Sequence, residues 1–251
     1  MGTNLLNTLY TLVDLAIIGR FLGSEALSAA SNSGQITFML YAIGIGLGGG
    51  GQVLISQLTG AGKRDEYQET IGTLVTFGIL SAVVTTIIGI VFARPLLELI
   101  KTPGEALDQA VDYLTCCAFG FIFCVGFNTF SAILRGMGDS RTPFLISAVC
   151  ALMNVMLDLL LVAVIPMGVA GAALATSISQ FCSFVFAIWY LYGRREQFGF
   201  DFKLRSFRMH GGKLKTILKL SVPLMVSSIS MATRLTVSET TALPWASVIS
   251  Q

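Results

Sequence analysis

Two aspartates lie within strongly apolar stretches of the sequence, where ionisable side chains are rare. Asp14 lies in LNTLYTLVDLAIIG, and Asp158 lies in ISAVCALMNVMLDLLLVAVI. A charged side chain at the centre of a lipid bilayer costs roughly 2.5–3.5 kcal/mol on insertion scales, so such residues usually face a bundle interior or a water-filled path. Both carboxyl groups are therefore candidates for binding a cation or carrying a proton. The alternative is a purely structural role, in which each aspartate is hydrogen-bonded between helices.

Two further polar side chains extend this candidate site. Asn154 precedes Asp158 by one helical turn, so the two share a helix face, and Thr176 lies in the next apolar segment. With an α-helical rise, Asp14 lies about 13 Å below the outer end of its span, and Asp158 and Thr176 lie about 12 Å below the outer ends of theirs. We therefore expect side chains from three helices to meet at one level of the membrane.

Oxygen atoms dominate this set of side chains. Carboxylate, amide and hydroxyl oxygens suit a hard cation such as Na⁺, and a carboxyl pair between apolar walls can carry H⁺ instead. The residues alone leave Na⁺ binding, H⁺ binding and competition between the two ions open.

The composition predicts that lipid surrounds the elements that carry these side chains. Of 251 residues, 54% are hydrophobic and only 12% are charged, and the mean hydropathy is +0.77. Soluble proteins carry about 25% charged residues. The fold class is therefore predicted to be an all-α polytopic membrane protein. The net charge of +2 gives no reason to expect nucleic acid as a partner.

The sequence contains seven apolar segments, which are separated by polar or turn-rich breaks. The first six segments would form a transmembrane bundle, and the last would begin a seventh helix. They cover approximately residues 4–22, 33–58, 70–92, 108–134 and 143–165, then a sixth that ends near 192, and finally 217–232. The predicted domains are a bundle at 1–192 with a shortened first helix, a basic cytoplasmic linker at 193–215, the start of a second bundle at 216–235, and a tail at 236–251 without helical periodicity.

Basic residues are unevenly distributed over the breaks, and they favour the cytoplasmic side. The breaks after spans two, four and six carry Lys63 and Arg64, then Arg135 and Arg141, then the run from Arg194 to Lys219, whereas the other breaks carry Arg20, Arg94 and Lys101. We therefore expect a multi-pass protein of the plasma (inner) membrane with the first set of breaks in the cytoplasm.

Motifs for enzymatic chemistry are missing from the sequence. The glycine-dense GIGLGGGG lacks the Lys-Ser/Thr ending of a phosphate-binding loop, and neither a nucleophile elbow nor an HExxH pair occurs. The five cysteines lie in or near apolar runs without metal-ligand spacing. The sequence thus predicts a protein that is not an enzyme and holds no resident cofactor, with Na⁺ or H⁺ as a coupling ion.

An ordered set of segments resembles the multidrug and toxic compound extrusion (MATE) family of cation-coupled exporters. The segments are VDLAIIGRFLGSEALSAAS, QVLISQLTGAGKRDE, AILRGMGDSRTP, NVMLD, GVAGAALATSISQ and LKLSVPLM. The resemblance implies twelve spans in two six-helix bundles, with amphipathic cationic substrates bound between the bundles and exported in exchange for Na⁺ or H⁺.

The resemblance also implies roles for individual residues. Asp14 matches the functional aspartate of the family's first span, Asn154 and Asp158 match the polar pair of the fifth, and Thr176 matches a hydroxyl of the sixth. Ala172, one turn before Thr176, would contribute a backbone carbonyl. Asp14, Asn154, Asp158 and Thr176 would be the metal ligands if the ion is Na⁺.

The resemblance ends near residue 232, so the sequence predicts an incomplete transporter whose second bundle another chain could supply. Two alternatives differ in function. A lipid-linked precursor flippase usually needs a basic cavity, whereas no Lys or Arg lies at the centre of a predicted span. A truncated membrane fragment that does not transport is the other alternative.

Overall fold

The protein is helical throughout the part that the computed structural model describes, which comprises residues 2–63, 66–194 and 209–227. No strand occurs in these ranges. The helices are α1 (Gly2–Gly60), α2 (Tyr67–Val91), α3 (Ala93–Leu99), α4 (Gly104–Gly136), α5 (Arg141–Asp158, continued as a π-helix over Leu159–Val164), α6 (Gly168–Gly193) and α7 (residues 211–227). All but α3 and α7 are long and apolar enough to cross a membrane. The protein is therefore a multi-pass membrane protein.

Helix α1 contains two arms that meet at Gly23. This residue has φ 88° and ψ −173°, a combination that is open almost only to glycine. We call residues 2–22 the first arm and residues 24–60 the second arm. The chain is helical again immediately after Gly23, whereas the sequence predicted a second span only from about residue 33. The predicted break at Gly23 is confirmed, and it is a single residue long.

Helix α4 lies at the centre of the bundle and packs against α1, α2 and α6. Small side chains such as Ala118 and Ala132, both fully buried, allow this close approach. The apolar core consists of two clusters. One is built around Phe121, Leu114 and Ile18, and the other, nearer the predicted cytoplasmic side, around Ile133 and Leu74.

Hydrogen bonds between helix ends hold the predicted cytoplasmic side together. The Tyr67 hydroxyl donates to Thr59 Oγ1 at 2.6 Å, and the Thr59 hydroxyl lies 3.3 Å from the Gly136 carbonyl oxygen. These contacts join the ends of α1, α2 and α4.

A second connection joins the α4–α5 turn to α6. Asp139 accepts hydrogen bonds from the Thr142 backbone amide (3.0 Å), the Thr142 hydroxyl (2.7 Å) and the Tyr190 hydroxyl (3.0 Å). Burial alone would raise the pKa of Asp139, but these hydrogen bonds hold that pKa below its usual value. The α5 start is thereby capped and fixed to the end of α6.

The predicted segments correspond closely to the observed helices, apart from their ends. The seventh begins at residue 211 rather than 217. Much of the predicted linker (193–215) and the whole predicted tail (236–251) lie outside the described residues, so those boundaries stay predictions. The π-helix at the end of α5 was not predicted.

Candidate functional site: a carboxyl pair between three helices

The carboxyl groups of Asp14 and Asp158 meet inside the bundle within hydrogen-bonding reach of each other. Asp14 comes from the first arm of α1 and is 5% exposed, while Asp158 is the last α-helical residue of α5 and is fully buried. Two carboxylates in contact repel unless a proton or a cation lies between them. The structure thus brings these two residues together, as the sequence predicted.

Asn154 and Thr176 join the same group. With the Asn154 amide oriented by its hydrogen-bond partners, its nitrogen donates to Asp158 Oδ2 at 3.2 Å and its oxygen accepts from the Thr176 backbone amide at 3.3 Å. In an α-helix the same amide is the ordinary partner of the carbonyl of residue 172. Ala172 is fully buried and lies one turn before Thr176 in α6.

Three oxygen atoms in this group have no hydrogen-bond partner among the described residues. They are Asp14 Oδ1, Asp158 Oδ1 and Thr176 Oγ1, all of them buried, and each comes from a different helix. Buried polar atoms without a partner are uncommon because their lost hydration is costly. Unpartnered oxygens on a carboxyl pair are the donor set that a hard cation accepts, so these residues fit such an ion.

The connection between α5 and α6 places Asp158 beside Thr176. The π-helix ends with the Ile165 amide bonded to the Leu160 carbonyl at 2.9 Å, and the Met167 amide bonds to the Leu161 carbonyl at the same distance. Because the turn is this short, residues equally far from it in sequence lie at the same depth. This explains why a constant helical rise per residue placed Asp158 and Thr176 at a similar level.

Close packing of α6 on the π-helix needs a glycine. A Cβ on Gly171 would lie 2.9 Å from the Leu161 carbonyl oxygen and 3.0 Å from Met167 Cβ. The first of these contacts is shorter than real Cβ atoms make. Gly171 therefore allows the two helices to hold their polar residues together.

Sequence reasoning missed a second group of side chains beside the carboxyl pair. Tyr113 and Cys117 of α4 are buried, hydrogen-bond each other, and lie close enough to Asp14 to interact with its charge. Tyr10, one turn before Asp14, also lies close enough to Asp14 to interact with its charge. The spacing of four residues within each pair is the signal that could have found them, since such residues share a helix face.

The MatE family model matches residues 1–160 of this chain. The chain belongs to the MatE family. Among related MatE proteins, the probable multidrug resistance protein YoeA of Bacillus subtilis (strain 168) is 31% identical over 90% of this chain and 50% of its own length. The chain spans about half the length of the curated relatives it matches.

Solved MatE structures share the fold. An inward-facing multidrug resistance MATE transporter has 28% sequence identity and a TM-score of 0.83, over 90% of this chain and 51% of its own. An outward-facing one has 26% identity and the same TM-score of 0.83, over 94% of this chain and 52% of its own. The predicted family and fold class are thereby confirmed, and the described half resembles both conformations equally.

Proposed function

We propose that this chain is the N-terminal half of a cation-coupled exporter, and that Asp14, Asn154, Asp158 and Thr176 bind the coupling ion. The observation that carries the proposal is the buried carboxyl pair with its three unpartnered oxygens. Bound Na⁺ would take those three oxygens, the Asn154 side-chain oxygen and the Ala172 carbonyl as ligands. With H⁺ instead, one proton would be shared between the two carboxyl groups.

The exported compounds are inferred from relatives. YoeA is named a probable multidrug resistance protein, and amphipathic cationic compounds are the substrates that we propose for the complete transporter. These compounds would bind between the described bundle and a second bundle supplied by another chain. The lipid bilayer would surround the exposed apolar side chains of α2 and α5.

The direct test of the ion site is thermal unfolding of the purified 251-residue chain in detergent, with NaCl compared with choline chloride and over a range of pH. A ligand that binds only the folded protein stabilises it by about 2.7 kcal/mol at one hundred times its Kd. We expect Na⁺ or H⁺ to raise the Tm, and Asp14→Asn and Asp158→Asn to abolish that response.

The matched control is Asp112→Asn, an exposed aspartate at the outer part of α4, which should keep the full response. Parental responses to both ions in both site variants would show that these aspartates do not bind the coupling ion.

The export step is tested by producing the chain together with the C-terminal half of YoeA in a drug-sensitive bacterium. We expect export of ethidium, an amphipathic cation, from cells that make both halves, and its loss on Asp158→Asn. Export that continues at the parental rate in this variant would contradict the role of the carboxyl pair in coupling.

A further inference from the structure

Two arginines lie at the end of the bundle where α5 begins and α6 ends. Arg141 is the first residue of α5, and Arg194 directly follows Gly193, the last residue of α6. Helices α5 and α6 pack against each other and are joined by a tight turn at their opposite ends. The two arginines therefore lie on the same side of the membrane, which the basic residues predict to be cytoplasmic. Both arginines are exposed.

One hydrogen-bonded cluster anchors both arginines. Asp139 accepts hydrogen bonds from the Arg141 backbone amide and from the Tyr190 hydroxyl, which lies 3.0 Å from Asp139 Oδ2. The guanidinium carbon of Arg194 lies 4.7 Å from the centroid of the Tyr190 ring, a distance at which an aromatic face attracts a cation. Arg141 and Arg194 are therefore held beside the same carboxylate and the same ring.

No carboxylate forms an ion pair with either arginine within the ranges that the structure describes, where the ion pairs involve other basic side chains. Asp139 brings one negative charge, but its oxygens accept hydrogen bonds from the uncharged donors of Thr142 and Tyr190. Two positive charges and one negative charge leave this surface cationic. Guanidinium groups suit phosphate in particular, because their fork of N–H donors matches two phosphate oxygens.

An exposed apolar stripe runs from each arginine towards the centre of the membrane. The exposed side chains of α5 that follow Arg141 at helical spacing are Leu145, Val149, Leu152 and Met156. Those that precede Arg194 on one face of α6 are Trp189, Val185, Phe181 and Ile178. Exposed apolar surface of this extent marks a contact with a membrane or a partner, and these two stripes offer room for acyl chains.

Aromatic side chains indicate the depth of the arginines in the membrane. Trp189 is 74% exposed and Tyr192 is 53% exposed, both near the end of α6. Tryptophan and tyrosine are enriched at the level of the lipid headgroups, because their rings are partly apolar and partly polar. Arg194 follows these residues directly, so its guanidinium group lies at the level of the lipid phosphates.

We propose that Arg141 and Arg194 form a binding site for an anionic phospholipid, with its phosphate on the guanidinium groups and its acyl chains along α5 and α6. A zwitterionic lipid also carries a phosphate, but its terminal ammonium group would be repelled by the second arginine. The site thus selects a headgroup with a net negative charge. It is separate from the carboxyl pair, since Asp158 lies at the other end of α5 from Arg141.

The fluorescence of Trp189 reports which lipid occupies the site. The chain has two tryptophans, so Trp245→Phe leaves Trp189 alone, and lipids with brominated acyl chains quench it on contact. The full-length Trp245→Phe chain is placed in bilayers of phosphatidylglycerol and phosphatidylcholine, with bromine on one lipid at a time. Phosphatidylglycerol should bind about fivefold more tightly or better, as expected for one net positive charge beside an anionic headgroup. Equal binding of the two lipids would overturn the proposal.

Variants in the Trp245→Phe background show whether the arginines cause this preference. Arg141→Gln and Arg194→Gln should each reduce the preference by about two- to fivefold, and the double variant should abolish it. Arg141→Lys and Arg194→Lys keep the charge and should retain most of the preference. Arg20→Gln is the matched control, because Arg20 is an exposed arginine on the first arm of α1, and it should leave the preference unchanged. A parental preference in the double variant would refute the site.

A soluble headgroup distinguishes a lipid from a free phosphate compound. Glycerophosphoglycerol carries the charged group of phosphatidylglycerol without its acyl chains. It should leave the quenching by brominated phosphatidylglycerol unchanged, because the apolar stripes hold the chains of the lipid. Release of the lipid by glycerophosphoglycerol would show that the arginines take a free phosphate compound, which contradicts a lipid site. Raising the salt concentration should lower the preference for phosphatidylglycerol, since salt screens exposed charges, and a preference that is independent of salt would contradict binding through the arginines.

Discussion

The strength of the candidate site depends on residues that orient the carboxyl groups as well as on the carboxyl groups themselves. Asn154 contacts both Asp158 Oδ2 and the backbone of α6. It therefore fixes one oxygen of Asp158 and leaves the other, Oδ1, without a hydrogen-bond partner among the described residues. Groups that orient a cation's ligands typically change affinity 10- to 100-fold when they are removed.

We expect Asn154→Ala to weaken ion binding by about tenfold or more while the aspartates stay in place. The measurement is the Na⁺ or H⁺ concentration that gives half of the maximal Tm increase. Asn128→Ala is the control, since this amide of α4 bonds within its own helix, to the Cys124 carbonyl and thiol. Equal shifts in the two variants would show that Asn154 does not position the site.

At the scale of elements, the π-helix and its contact with Gly171 set the depth of Asp158 relative to Thr176. A π-turn inside a longer helix is uncommon and is often found at functional sites. Here it ends α5 early and permits a short connection to α6. The site thus depends on backbone geometry at a distance from the carboxyl groups.

Gly171→Ala should destabilise the folded protein by about 1–3 kcal/mol, because a buried methyl group meets the Leu161 carbonyl and the helices must separate. We also expect weaker ion binding, since Thr176 moves with α6. Thermal unfolding with and without the ion measures both effects. Gly193→Ala, at the open end of the same helix, should change neither, and an unaffected Gly171→Ala would show that the contact is not needed.

At the scale of the whole molecule, the distribution of basic residues predicts the orientation in the membrane. The α4–α5 turn and the start of α7 are predicted to be cytoplasmic, and the start of α4 is predicted to face outward. Both predicted surfaces carry exposed positions that can be labelled, among them Glu105 and Arg141.

A membrane-impermeant maleimide applied to intact cells should label Glu105→Cys but not Arg141→Cys. Inverted membrane vesicles should give the opposite pattern. The parent chain supplies the background, because the five native cysteines are buried or half-buried. Labelling of Arg141→Cys from outside would reverse the proposed orientation.

Much of this arrangement could be predicted from the sequence because lipid imposes simple rules. Apolar length gave the spans, and a constant rise per residue gave the common level of Asp14, Asp158 and Thr176. Contacts between segments that are distant in the sequence were harder to predict. Gly44 and Gly48 approach α4, whereas Gly46, Gly49 and Gly50 approach α7. Nothing in the sequence around these glycines indicates this division, because it depends on how the helices are arranged.

The π-helix escaped prediction for a different reason. The segment LLLVAV has no side chain that distinguishes a π-turn from an ordinary α-turn. It is seen only together with the tight connection to α6, in which the Ile165 and Met167 amides bond to the carbonyls of Leu160 and Leu161. Likewise, Tyr113 and Cys117 lie beside the carboxyl pair only because α4 crosses the centre of the bundle.

The distance in sequence between the two aspartates has a consequence for synthesis. At ribosomal rates of about 5–20 residues per second, Asp158 follows Asp14 by roughly 140 residues, or about 7–30 seconds. During that interval the first arm of α1 enters the membrane without the side chain that faces its carboxyl group in the finished protein. The arm can reach its final contact with Asp158 only after the fifth span has been inserted, so it settles later than its place in the sequence suggests.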